Sequence, residues 1–371
     1  MSAATIINAV GLQFSRFGPL VVFIFGVPGN IFNILIFTRP HLIKNPCSTY
    51  FFCASLVNLN VLFLGLIPRS LADGFGIDPV SNNLAFCRFR YFILHPSLAL
   101  SSWFSILAGI DRFCISSRDV HRRQLSNLKY SRYISAITTF IGFAIYSHLL
   151  GLFVMQQLKT GPYCYALVGP YRVFYDFFYF ATYSFTPPII MVFVGLATYY
   201  NVRQTRSQIV PVVTNNGNRG QLKRRDQQLL KMTCIQFICT IILTLPVAIQ
   251  KLYSTFTQNN VKGTTQVAIE SFITILLRVF LYTNASTSFY IFTLSGSVYR
   301  KEFLCIIIKI IGCIFGKHSS IYRRFNGRIE RSFNGNTVAI NGQTVTMNET
   351  NAPVGQHRGN GIMLDVIRTE G

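Results

Sequence analysis

The sequence predicts an all-α membrane protein: a seven-transmembrane helix bundle, then an amphipathic eighth helix and a disordered C-terminal tail. Three observations predict it. Of 371 residues, 50% are hydrophobic and only 12% charged, about half the charge usual in soluble domains. Seven apolar stretches reach the roughly 20 residues a helix needs to cross a ~30 Å hydrocarbon core. Basic clusters follow alternate stretches, as expected of loops retained on the cytoplasmic side.

The spans run in order along the chain. The first covers about residues 17–38 and is cut from the next by Arg39-Pro40-His41. The second is about 48–71 and the third about 87–116; the fourth, about 133–155, follows a basic segment at 118–132. The fifth is about 171–202, the sixth about 229–253 and the seventh about 267–294. Pro28, Pro68, Pro96, Pro187, Pro188 and Pro246 fall inside these stretches. In a bundle, neighbouring helices re-satisfy the carbonyls a proline frees, so these read as kinks rather than boundaries.

Charge sets the orientation. Loops after spans one, three and five, with the tail, hold most of the 34 Lys and Arg. Residues 1–16 are therefore expected to be an extracellular N terminus, and the C terminus cytoplasmic. Residues 1–18 lack the basic head and apolar core of a cleavable signal, so the first span is expected to be its own anchor. The stretch 203–231, with Asn215-Asn216-Gly217-Asn218 between basic ends, reads as a flexible cytoplasmic loop. Residues 295–311 set Arg300, Lys301 and Lys309 beside Phe303, Leu304 and Ile306, the pattern of a helix lying on the inner leaflet. Residues 312–371 are rich in Asn, Gly and Arg and are expected to be disordered.

The net charge of +22 does not imply nucleic acid, because the basic residues flank membrane spans; membrane lipids are the expected partners. No carboxylate pair, metal cluster or nucleophile–base set appears within the bundle, so neither an enzyme, a metal nor a cofactor is expected. A seven-helix transporter or channel is the alternative class. Such proteins often carry internal repeats, and the two halves of this chain show none.

The third span holds the most specific pattern. Cys87 lies 25 residues before Arg112, about 37 Å along a helix, so the two sit at opposite membrane faces. Alone, Arg112 reads as a snorkelling interfacial arginine. With Cys87 before it, Asp111-Arg112-Phe113 resembles the rhodopsin-like (class A) G-protein-coupled receptors, whose third helix opens with a disulfide cysteine and closes with Asp-Arg-Tyr. Gly29-Asn30 resembles the family's first-helix motif, Pro187 or Pro188 its fifth-helix proline, and Pro246 its sixth-helix proline. The run from Asn284 to Phe292, Asn-Ala-Ser-Thr-Ser-Phe-Tyr-Ile-Phe, resembles the seventh-helix variant of invertebrate receptors for FMRFamide-like peptides. Tyr299-Arg300-Lys301 resembles the start of the family's eighth helix. The chain also departs from the family. Asn58 stands where a buried Asp is usual, Ser288 and Phe292 replace the Asn and Tyr of the seventh-helix motif, and Thr244 replaces an aromatic toggle. Trp103, the sole tryptophan, reads as packing.

The resemblance implies a plasma-membrane receptor that binds an extracellular ligand, a neuropeptide by the branch it resembles, and activates a heterotrimeric G protein. It implies a disulfide between Cys87 and Cys164, the two cysteines placed outside, with a free pair as the alternative. Asp111, Arg112, Phe113, Ser288, Phe289 and Phe292 would form the activation and coupling machinery. Asp226, 20 residues before Pro246, would pair with Arg112 in the resting state. Leu94 stands where amine receptors keep an acid, and the seventh span has no lysine for a retinal Schiff base. The outer halves offer cations instead: Arg69, Arg88, Arg90, His95, Lys251 and Arg278, of which Arg69, Arg90, His95, Lys251 and Arg278 are the expected ligand pocket. Arg278 deep in an apolar helix calls for a partner, either Glu270 or another helix's acid, or else a ligand carboxylate held bidentately. Cys313 and Cys305, on a basic apolar segment at the inner leaflet, are candidates for palmitoylation.

Overall fold

A computed structural model describes residues 2–158, 161–207, 217–257 and 260–315. Seven helices in it are long and apolar enough to cross a membrane. They are α1 (Ala3–Phe37), α2 (Pro46–Phe75), α3 (Leu84–Ser116), α4 (Leu128–Leu152), α5 (Pro170–Gln204), α6 (Gln227–Ser254, within a longer helix Gly217–Phe256) and α7 (Thr264–Ser295). Helix α8 (Ser297–Phe315) follows after Gly296. Between α4 and α5, strand β1 (Phe153–Leu158) pairs antiparallel with β2 (Gly161–Ala166). The chain divides into residues 1–310 and 311–371; of the second unit only the helical residues 311–315 are described. The tail expected to be disordered lies outside the described residues.

Large apolar side chains such as Phe140, Phe193 and Leu196 point outward, which in water would be unfavourable and in lipid is not. Inside, helices meet closely where side chains are small. A Cβ on Gly26 of α1 would lie 2.2 Å from Ser286 Oγ of α7, so only glycine permits this approach. Asn30, fully buried one turn later, donates to the carbonyls of Gly26 and Ala285, each at 2.9 Å.

The internal prolines behave as expected, through two different devices. Pro19, Pro28, Pro96 and Pro246 sit inside continuous helix. Before Pro68, and again before Pro187 and Pro188, the helix widens into a π turn, at Val61–Leu66 and Phe180–Phe185. Pro68 cannot donate to the Leu64 carbonyl four residues back. Arg90 of α3 answers instead, from Nε to Leu64 O at 2.6 Å and from Nη2 to Gly65 O at 3.2 Å. In the α5 turn, Trp103 Nε1 donates to Thr182 O at 3.2 Å. Trp103 therefore does more than pack: it caps a carbonyl that the π turn exposes.

Three boundaries differ from expectation. Helix α1 starts at Ala3, well before residue 17, because its outer turns find partners: Arg16 Nε donates to Gly74 O at 2.6 Å and Ser15 Oγ to Asp73 O at 3.2 Å. The fourth span does not reach Met155. The chain is already extended at Phe153, where Met155 pairs with Cys164 across the hairpin. Much of the expected flexible loop is helix, since Gln, Leu, Lys and Arg along 221–231 are good helix formers; residues 208–216 lie outside the described residues.

Candidate functional site

The half of the bundle nearest the hairpin, the half expected to be outer, encloses a cavity of about 370 Å³ among α2, α3, α5, α6, α7 and the hairpin. Arg69, Arg90, His95, Lys251 and Arg278, expected from the sequence as the basic residues of a ligand pocket, line it; Arg88, of the same group of cations, does not, and donates instead to the carbonyls of Phe153 and Gly151 at 2.9 and 3.2 Å. The disulfide Cys87–Cys164, with Cα atoms 6.1 Å apart, ties the hairpin to the outer end of α3 and so fixes the cavity's cover.

Each cation is held in its own way. Arg69 and Arg278 share one carboxylate, Asp73: Arg69 Nε lies 2.9 Å from it and Arg278 also pairs with it directly. Of the two structural partners expected for Arg278, the acid of another helix is the one found; Glu270 is bonded to Lys262, Tyr253 and Gln266. Eight residues of helix separate Glu270 from Arg278, about 12 Å, whereas Asp73 comes alongside on α2. Across the cavity Lys251 Nζ lies 3.1 Å from Asp176 Oδ1 and 4.4 Å from the Tyr179 ring centroid. Asp176 also accepts from Tyr165 OH at 2.7 Å. His95 is buried against Tyr175, bonded to its hydroxyl and stacked on its ring. Arg172, which the sequence reading passed over, joins the lining with its guanidinium 5.4 Å above the Tyr165 ring.

The opposite half, expected to be the inner one, carries a second constellation. Arg112, 1% exposed, lies 2.5 Å from Asp111 Oδ2 and donates to Asn45 Oδ1 at 3.1 Å. Asp111 in turn accepts from Ser126 Oγ at 2.6 Å. Neither Asn45 nor Ser126 could be found in the sequence as partners. Asn45 also caps α2, accepting from Cys47 N at 3.0 Å, so one side chain both starts a helix and holds the arginine. Phe113 lies under Arg122, 5.9 Å from ring centroid to guanidinium. The side chain of Asp226 lies outside the described residues.

Where α7 departs from the family's motif, a different polar chain fills the space. Asn33 Nδ2 donates to Ser288 Oγ at 3.0 Å, and Tyr299 OH of α8 donates to Asn33 Oδ1. Phe292 is buried against Phe51, Phe37 and Tyr299, with centroids 4.7, 5.7 and 5.8 Å away. Phe289 meets the same Tyr299 ring, with centroids 6.1 Å apart. Nearer the middle, Asn58 Oδ1 accepts from Ser101 at 2.6 Å and Asn284 Oδ1 from Thr240 at 3.1 Å. Gln228 of α6 accepts from Val298 N at 3.1 Å, a direct link from α6 to the start of α8.

A model of the family described as 7 transmembrane receptor (rhodopsin family) matches residues 29–288. The chain belongs to that family. No curated protein matches the chain closely enough to be counted a relative. The matched region of the receptor takes in α2 to α6 whole, both constellations and the disulfide. As a member of this family of signalling receptors the receptor is a multi-pass membrane protein.

Proposed function

We propose that the receptor binds an extracellular peptide carrying an acidic group and passes the signal to a heterotrimeric G protein, from the plasma membrane with its N terminus outside. The observation that carries this reading is the chemistry of the outer cavity. Arg69, Arg90, Arg172, Lys251 and Arg278 line it, and the carboxylates beside them are Asp73 and Asp176. Cationic sites of low polarity attract anions strongly, and an Arg fork holds a carboxylate bidentately. The aromatic walls, Tyr91, Tyr165, Tyr175 and Tyr179 among them, suit the apolar side chains of a peptide. The seventh-helix run Asn284 to Phe292 supports placing the receptor beside invertebrate FMRFamide-type receptors.

At the inner end, Arg112 with Asp111, Phe113 and Asp226 is the proposed two-state element. A ligand that binds the open bundle more tightly shifts the population toward it. Ser288, Phe289 and Phe292 link α7 to α8 in the resting arrangement. The positive-inside distribution supports the orientation. A peptide library sorted by net charge, assayed by G-protein activation in cells expressing the receptor, tests the reading. Acidic peptides should activate, with Arg278→Gln lowering potency about tenfold or more, as expected for loss of a charged contact of ~1.5–3 kcal/mol. Activation by basic peptides alone, unchanged in Arg278→Gln, would refute it.

A further inference from the structure

The cavity beside the hairpin carries more positive charge than one acidic group would answer. Arg69, Arg90, Arg172, Lys251 and Arg278 line it and, among the described residues, no carboxylate does. The segments that build this half of the bundle contain only four acids, Asp73, Asp78, Asp176 and Glu270. Asp78 accepts from the backbone amides of Val80 and Ser81, and Glu270 pairs with Lys262. That leaves Asp73 and Asp176 beside five cations.

The charges fall into two groups. In the first, Arg69 and Arg278 share Asp73 of α2. In the second, Lys251 lies 3.1 Å from Asp176 of α5, and Arg172 precedes Asp176 by one turn on the same helix face. Tyr165 ties this second group together: its hydroxyl donates to Asp176 at 2.7 Å and its ring lies under Arg172. Each group therefore holds two cations and one carboxylate, an excess of one positive charge. Helix α3 stands between them. Its Arg90 donates to the Leu64 and Gly65 carbonyls of α2, while its His95 bonds Tyr175 of α5. Engaged on backbone, Arg90 belongs to neither group. Much of the remaining lining is apolar, including Leu94, Leu98, Val247, Leu277 and Leu281. A single carboxylate engages one group and leaves the excess charge of the other in surroundings of low polarity, where an unanswered charge is costly.

We propose that the ligand carries two acidic groups on one molecule, one held by Arg69 and Arg278 and the other by Arg172 and Lys251. An apolar or aromatic stretch joins them and lies along Leu94 and Leu281. This rests on the reading of the cavity as the ligand site and narrows it. The first acid is the one already placed at Arg278; the second makes Arg172 and Lys251 determinants of specificity. Asp176, on the far side of Lys251 from the ligand, weakens the pull of that group on an anion.

Thermal unfolding of purified full-length receptor in detergent, at constant ionic strength, tests the proposal, because a ligand of the folded state raises the apparent melting temperature with its concentration. The probes are capped peptides of tyrosine and glycine with two glutamates separated by one to four residues. In an extended chain this sets the acids roughly 7–17 Å apart. The controls replace either glutamate by glutamine. At one best spacing the diacid should bind about tenfold more tightly than either monoacid, as for one added charge-assisted contact. Arg172→Gln should erase that advantage. Asp176→Asn keeps an acceptor for Tyr165 and removes the opposing charge, so it should tighten diacid binding several-fold, a gain that damage to the fold cannot produce. Equal affinity of diacid and monoacids for wild type, or an advantage that survives Arg172→Gln, would overturn the proposal and leave a single acid at Arg278. Wild type that binds basic versions of the peptides and none of the acidic ones would overturn the cavity reading itself, and this proposal with it.

Discussion

Arg90 lies in the cavity wall, yet the structure gives it a second task that can be measured without a ligand. It closes the two carbonyls of the α2 π turn, at 2.6 Å to Leu64 O and 3.2 Å to Gly65 O. Methionine at this position keeps the stem and removes both donors. Charge-assisted hydrogen bonds contribute ~1.5–3 kcal/mol each in water-soluble proteins. Interhelical bonds within membranes measure lower, near 0.6 and at most ~1.7; at ~1.5 each, the low end for a charged donor and still under that ceiling, the pair is worth about 3 kcal/mol. At 1.4 kcal/mol per decade, the half-life of detergent-solubilised receptor at fixed temperature should fall about a hundredfold in Arg90→Met. Half-life is the proper quantity because large membrane proteins unfold irreversibly. The decisive arm is Pro68→Ala, which returns a backbone N–H able to bond Leu64 O. In that background Arg90→Met should cost visibly less. Effects that add, with the same hundredfold loss on either background, would refute the account of Arg90 as the answer to Pro68.

Further outcomes follow from the inner half. At matched surface expression, Asn45→Ala removes one charged hydrogen bond from Arg112 and should raise basal G-protein activation about tenfold while the active fraction remains small. Asp226→Asn should do the same if that carboxylate is a restraint; equal basal activity to wild type would leave Asp111 and Asn45 as the holders. Asn58 meets Ser101 as a neutral pair, and a neutral amide cannot offset dehydration of a cation. Agonist affinity should therefore be insensitive to sodium at constant ionic strength, as a radioligand titration would read. Cys313 is exposed, whereas Cys305 is partly covered and burial raises its thiol pKa. Hydroxylamine-sensitive acyl exchange should label Cys313 before Cys305.

Much of the architecture was legible because bilayer physics writes it in long-range composition: seven apolar stretches, basic loops and prolines that do not end helices. The Cys87–Cys164 bridge was legible from placement, and five cations of the cavity from depth along their helices. What escaped the sequence were contacts that depend on how helices rotate against one another. The sequence left open whether Glu270 or an acid of another helix meets Arg278, and only the packing picks Asp73; Asn45 and Ser126 frame Arg112 and Asp111; Gln228 reaches α8. No local pattern announces such pairs, since a small turn of either helix would undo them. The π turns escaped for a related reason. A proline signals a freed carbonyl, but whether the helix kinks or admits an extra residue depends on a donor from elsewhere.

That extra residue sets the phase of everything beyond it. Each residue advances a helix by about 100°, so a π turn cranks the rest of the rod by nearly a third of a revolution. In α2 the segment Ile67–Phe75 is cranked in this way, and with it Arg69 and Asp73. With that phase Arg69 faces the cavity and Asp73 meets Arg278. Deleting one residue from Val61–Leu66 would leave the sequence of the outer segment untouched while swinging Arg69 and Asp73 away from Arg278. Any residue-by-residue transfer from a receptor whose second helix lacks the widened turn is likewise out of step from Ile67 onward, and correct before it.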